Sequence, residues 1–295
     1  MKNGIILAVL SAFTFSIMNV LVKAASETIP VSEIVLFRSL IGTILVLFLM
    51  WKYQVAFSRK GIPMLFLRGA LGAAYLLAYF YTIAHIPLGD ASILAHMSPF
   101  FTLIFSIVFL KESVNKQVIL WMPLFLIGAV FLLDPFSFDS YTLYALVGVL
   151  SAMLAAAAAT SIRYLSRSHH KFEIVFYFLA TGTVISIPLM WGEFVMPSLT
   201  GWVYLIGIGV VSLIGQFVLT SAFTHENVMV VEVVRYIGIF FNVMWGFLFW
   251  GEIISLDSLL GGVCIIAGSI ALSRRKKERK LRKLLKIIKS RYIQK

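Results

Sequence analysis

Apolar residues run along this chain in long blocks, and the polar residues gather between them. The blocks fall at roughly 4–23, 33–51, 62–83, 88–110, 117–133, 142–163, 173–191, 201–223, 228–250 and 258–273. A helix that crosses a bilayer needs about 20 predominantly apolar residues. Most of these blocks reach that length, which exceeds what a helix lining a soluble core requires. The pattern therefore predicts an all-α polytopic membrane protein with ten transmembrane helices. The shorter blocks predict tilted helices or a locally thinned bilayer.

One fixed offset relates the two halves of the pattern. Residues 88–112 read LGDASILAHMSPFFTLIFSIVFLKE, and residues 228–252 read VMVVEVVRYIGIFFNVMWGFLFWGE. Glu112 and Glu252 stand 140 positions apart, and the same offset aligns Glu33 with Glu173, Trp51 with Trp191 and His85 with His225. It also aligns Gly42 with Gly182 and Phe100 with Phe240. Chance similarity between apolar stretches aligns Leu with Ile, not Glu, His and Trp at a single spacing. The chain is read as an internal repeat, with a first unit at 1–133, a second at 134–273 and a tail at 274–295. Each unit holds five predicted helices, an odd number, so the second must enter the membrane from the opposite face. The predicted architecture is two inverted five-helix repeats, a plan that lets one site face two sides in turn.

Composition agrees with this and narrows it. The chain is 60% hydrophobic and 13% charged, where a soluble domain carries about 25% charged residues. Its formal net charge is +12, but the tail holds twelve Lys and Arg against one Glu, leaving the body near neutral. The basic balance is a property of the tail, and no nucleic-acid partner is expected. Within the tail, Leu281, Leu284, Leu285 and Ile288 share one helical face, which suits either an interfacial helix on anionic lipid or a disordered segment that fixes topology. Between the blocks, Lys2, Lys52, Arg59, Lys60, Lys111, Lys116, Arg163, Arg167 and Lys171 fall on one side. Glu27, Asp134, Asp139, Glu193, Glu252 and Asp257 fall on the other, with Lys23 the exception. Lys and Arg excess marks the cytoplasmic face. Both termini are therefore expected in the cytoplasm, in a multi-pass protein of the inner (plasma) membrane. The single cysteine, Cys264, permits no intrachain disulfide.

Candidate chemistry is sparse. No metal-ligand cluster, Gly-rich phosphate loop or nucleophile triad is present, so neither a metal nor a cofactor is expected and the chain is not read as an enzyme. Ionisable groups inside apolar spans carry the information, because burial in hydrocarbon is costly and such groups face a bundle interior or water. They are Arg38, Arg68, Asp90, His96, Glu232 and Arg235. Glu33 and Glu173 stand at helix entrances, where an N-terminal charge is favourable in itself. At a rise of about 1.5 Å per residue, His96 lies ~12 Å along its helix from one face and Tyr236 ~12 Å along its own from the other. These two are repeat mates, so the pseudo-twofold brings both to the midplane. Substrate is expected to meet His96, Arg235 and Tyr236, with Tyr79 and Gln216 as weaker members. Arg235 supplies a fork of donors for a carboxylate or phosphate, or else pairs internally with Glu232. The tyrosines supply aromatic faces with polar tips. An amino-acid-like zwitterion suits that combination. Asp90, if it does more than cap its helix, and Glu232 are the acids placed to carry a proton during transport.

The chain resembles the EamA type of the drug/metabolite transporter superfamily. The residues that carry the likeness are Lys23, Arg38, Gly69, the run 79–109 (YFYTIAHIPLGDASILAHMSPFFTLIFSIVF) with Glu112, and Gly128, repeated through Glu252 and Gly268. The resemblance covers about 4–273. It implies ten helices in two inverted units around a central cavity, and secondary transport of small organic metabolites, among them amino acids and S-adenosylmethionine. The second half departs from the pattern, with Ile239 at the position of Pro99 and Phe178 at that of Arg38. The expected partners are a small-molecule substrate and the lipid bilayer, with the protein a monomer or homodimer. A membrane-embedded scaffold or enzyme on the same bundle is the alternative. The charge pattern generates a direct test. A reporter fused after Lys295 is expected to be active only if it functions in the cytoplasm, and activity confined to the exterior would contradict the topology.

Overall fold

The computed structural model describes residues 2–108, 122–133, 140–165, 168–225, 231 and 234–268. All regular structure among these is helical. The helices are α1 (Lys2–Ser26), α2 (Val31–Lys52), α3 (Ile62–His85), α4 (Leu88–Ala95), α5 (Ser98–Val108), α6 (Met122–Leu133), α7 (Ser140–Leu165), α8 (Lys171–Met190), α9 (Leu199–His225) and α10 (Ile237–Trp250). A last apolar helix, α11, spans Leu256–Gly268. Six of them, α1, α2, α3, α7, α8 and α9, are long and apolar enough to cross a membrane. Their outer surfaces expose Ile44, Leu143, Val184 and Val203, as a lipid-facing bundle must. Trp51 and Trp191 end α2 and α8 at 77% and 80% exposure, where an amphipathic ring suits the headgroup level.

The fourth predicted helix is not continuous. It breaks between α4 and α5, at His96 and Met97. His96 N donates to the carbonyls of Ser92 and Ile93, Met97 N reaches back only to Leu94, and Phe100 N only to Met97. The cause is Pro99, which has no N–H to give Ala95 and disfavours helical geometry in the residue before it. Its repeat counterpart, expected over 228–250, is interrupted too, between helical Arg235 and Ile237. Tyr236 is a turn residue at the start of α10, and Ile239 N donates to its carbonyl.

Packing follows the repeat. α1 lies along α9, α3 along α7, and α2 along α8; α1 also meets α10, while α7 meets α4 and α5. Glu33, in the first turn of α2, accepts from the backbone N of Val195 at 3.1 Å, just past the end of α8. Glu173, in the first turn of α8, accepts from the N and Oγ of Ser58, at 2.7 and 2.8 Å, just past the end of α2. The two helices thus run antiparallel. Both carboxylates are fully buried. Their role goes beyond the helix-entrance charge expected of them, since each ties down a loop leaving the other's helix.

Close approach of α3 to α8 depends on glycine. A Cβ on Gly69 of α3 would overlap the Thr181 side chain and stand 2.7 Å from the Tyr177 carbonyl oxygen on α8. The backbone there cannot give way. Gly69→Val is therefore expected to destabilise the bundle by about 1–3 kcal/mol, as overpacked cores do. Fluorescence size-exclusion of the tagged protein should show a reduced monodisperse peak, and an unchanged peak and melting temperature would contradict the contact.

Candidate functional site

A chain of polar side chains crosses the bundle interior where α1, α3, α4 and α10 meet. Asn19 on α1 donates through Nδ2 to the Tyr79 hydroxyl on α3 at 3.0 Å and to Asn242 Oδ1 on α10 at 3.2 Å. Asn242 Nδ2 donates in turn to Ser92 Oγ on α4 at 2.9 Å and to the Gly238 carbonyl at 2.8 Å. All four side chains are buried. Hydrocarbon offers no partners, so polar groups at this depth must satisfy one another.

The two predicted midplane residues lie beside this chain and against each other. The His96 and Tyr236 rings are 5.0 Å apart at 41°. His96 Nδ1 stands 2.7 Å from the Ser92 carbonyl, and a carbonyl only accepts, so Nδ1 carries the proton. Tyr79 stacks on Tyr75 at 5.8 Å, and both lie within electrostatic reach of Arg235. His96, Tyr236, Tyr79 and Arg235 thus form one neighbourhood, spanning the helix break and the start of α10. Gln216 is half-buried on α9, the helix packed along α1. Glu232 lies outside the described residues, as does Glu112.

Asp90 does not act as a cap. Pro87 holds the cap position of α4, and the Asp90 carboxylate accepts from the Tyr141 hydroxyl on α7 at 2.8 Å and from Ser258 on α11. It ties three helices together. Close by, Lys23 forms an ion pair with Glu252 and donates to the Ile86 carbonyl at 2.9 Å. The second Glu252 oxygen accepts from Leu88 N at 2.8 Å. This cluster closes one end of the bundle between α1, the α3–α4 joint and the α10–α11 joint. No group of three or more His, Cys, Asp or Glu among the described residues could hold a metal ion.

The EamA-like transporter family matches twice, at residues 2–134 and again at 142–274. The chain belongs to the EamA-like transporter family. It is 56% identical over 278 residues to the pseudopaline exporter CntI of Pseudomonas aeruginosa, covering 94% of this chain and 98% of that one. The riboflavin transporter of Brucella anthropi is 28% identical, over 70% of this chain and 75% of that one. Human solute carrier family 35 member G1 is 27% identical, over 92% and 79%. A crystal structure with 16% sequence identity superposes at a TM-score of 0.64 over 91% of this chain and 98% of its own, a likeness of fold. The protein is a multi-pass membrane transporter of a small molecule.

Asn19, Asn242 and Ser92 are not among the residues the sequence analysis expects at the site. Two amides inside apolar spans were the available signal. Asn242→Ala strips Asn19 and Ser92 of a buried partner, a loss of about 1–3 kcal/mol. A lowered melting temperature in detergent checks this, and an unshifted melting curve would show that the polar chain is not what joins α1, α4 and α10.

Proposed function

We propose that this chain is a secondary exporter of pseudopaline or a closely similar metabolite. It works by alternating access between two inverted five-helix repeats. The observation that carries the reading is the 56% identity to a pseudopaline exporter along nearly the whole of both chains. Relatives near 28% identity include a riboflavin transporter, so distant likeness does not fix the solute.

Three observations support the inverted plan. Exchanging repeat mates leaves the packing pattern unchanged: α1 on α9 becomes α7 on α3, and α2 on α8 maps onto itself. The Glu33 and Glu173 contacts exchange in the same way. The family matches begin 140 residues apart, at 2 and 142, and end at the same spacing. The division at 133/134, an inner-membrane location and cytoplasmic termini belong to the same reading.

In this reading substrate binds at the break, against His96, Tyr236 and Tyr79, with Arg235 meeting an anionic group and Gln216 a further contact. The substrate is amino-acid-like, offering an anion to Arg235 and a cationic or planar part to the aromatic faces; an S-adenosylmethionine-like solute shares those parts. Asp90 and Glu232 are the acids assigned to proton coupling. The repeat mates of Lys23 and Glu252 are Arg163 and Glu112.

Everted membrane vesicles containing the protein are expected to accumulate labelled pseudopaline above vesicles without it, and more so with an imposed proton gradient. Equal accumulation in both preparations would overturn the export reading. Accumulation that ignores the gradient would overturn proton coupling alone.

A further inference from the structure

Two arginines lie inside the bundle with no carboxylate beside them among the described residues. Arg38 on α2 is 2% exposed. Its guanidinium carbon stands 5.7 Å from the centre of the Phe178 ring on α8 and 5.9 Å from that of Phe80 on α3. Arg68 on α3 places its own guanidinium 4.7 Å from the same Phe178 ring. A Cβ at Gly72, one turn on, would overlap both the Arg68 guanidinium and the Phe178 ring, so the glycine makes room for this contact. Nε and Nη1 of each arginine are buried and donate to no acceptor. The ion pairs among the described residues are elsewhere, at Lys23–Glu252 and His169–Glu173.

Such an arrangement is costly for the fold alone. A guanidinium does not shed its proton to escape burial. Aromatic faces offset part of the lost hydration but leave the in-plane donors empty. A purely structural role would be filled better by an apolar residue, as the first repeat's own mate demonstrates: the position equivalent to Arg38 holds Phe178. The location is also telling. Tyr75 lies within electrostatic reach of Arg38, Arg68 and Arg235 together, and it stacks on Tyr79 of the central polar chain. The two forks therefore adjoin the site already described and extend it toward α2 and α8.

We propose that Arg38 and Arg68 are substrate-binding residues that receive two carboxylates, so that the exported metabolite is a polycarboxylate. The inference deepens the export reading and rests on it. A planar fork takes a carboxylate through two parallel hydrogen bonds. Two forks on different helices, both packed on one aromatic ring, match two carboxylates carried on a small skeleton. A compact anion such as phosphate engages one fork and leaves the other empty. A zwitterion with a single carboxylate does the same.

The test uses the purified full-length protein. Thermal shifts are measured with acetate, succinate, propane-1,2,3-tricarboxylate and inorganic phosphate at matched ionic strength. The stabilisation is expected to grow from acetate to the tricarboxylate and to vanish in Arg38→Gln and Arg68→Gln. Arg38→Lys and Arg68→Lys keep the charge but lose the fork, and a weakened response is expected from them should the Gln variants fail to fold. A response that is flat across the carboxylates, or one confined to phosphate, would overturn the proposal. In proteoliposomes, Arg68→Gln is expected to raise the KM for pseudopaline at least tenfold with a smaller change in kcat. An unchanged KM would overturn the arginine site and leave the export reading standing. No pseudopaline transport by the wild type, with the carboxylate series intact, would overturn the export reading and leave the site standing.

Discussion

Glu33 and Glu173 sit fully buried in a bundle whose outer surface is apolar, and each is held by the loop that leaves the other's helix. A carboxylate in such a place is tolerable only when donors reach it. Here backbone and hydroxyl donors of residues past the helix ends reach one oxygen of Glu33 and both of Glu173, and these contacts fix how α2 and α8 lie. Gly42 and Gly182, one from each helix and mates in the repeat, allow close approach: a Cβ on either would stand 2.9 Å from a side-chain atom of the other helix. The proposed arginine site rests on this antiparallel seam. Arg38 is one turn past Ile34 on α2, Phe178 is on α8, and the α3 residues Arg68 and Gly72 pack over the latter.

The second constraint is the interruption of helices near the middle of the bundle. At α4–α5 the cause is covalent, since Pro99 cannot donate. At the start of α10 no proline is present, yet the turn falls at Tyr236, the mate of His96. What the two places share is side-chain competition for carbonyls. His96 Nδ1 takes the Ser92 carbonyl that its own backbone N also reaches, and Asn242 Nδ2 takes that of Gly238 four residues earlier. Such back-bonding weakens the local helix ladder and bends it. Broken helices of this kind present backbone and side-chain polar groups at the depth where a transported solute is held.

Much of this was written in the chain's periodicity. Apolar block length located the six long helices, the 140-residue offset paired His96 with Tyr236, and the family followed from the motif run 79–109. What escaped was set by contacts between distant segments. Lys23 looked like a misplaced charge because its partner, Glu252, comes 229 positions later. Glu33 and Glu173 looked like ordinary helix-entrance charges because the loops that bind them belong to the other half. Asn19 and Asn242 carry no charge, so an argument from the cost of buried ions passed over them, although a buried amide must be satisfied just as fully. The fourth helix, expected to run unbroken over 88–110, breaks for a local reason visible in the sequence: Pro99 lies within the span and ends one helix as the next starts.

The bundle holds its cations in two ways, and the contrast bears on how a transporter works. Lys23 is paired with a carboxylate, and the two side chains keep 11% and 16% of their surface in contact with solvent. Arg38 is buried, Arg68 has its Nε and Nη1 buried, and both guanidinium groups stand against aromatic faces. A closure that must open in each cycle suits the first kind of contact, because water can replace either partner as the helices part. A recognition site suits the second, because its charge is fixed and its donors are already oriented, so binding need not order them again. On the proposal above, an anion between the arginines would relieve a cost the empty bundle carries, and the relief would act only in conformations that keep α2, α3 and α8 together. A ligand shifts a conformational equilibrium only by such a difference. The α2–α8 seam is therefore the part of the bundle that is best kept rigid during the cycle, and the Lys23–Glu252 closure is the part best allowed to give.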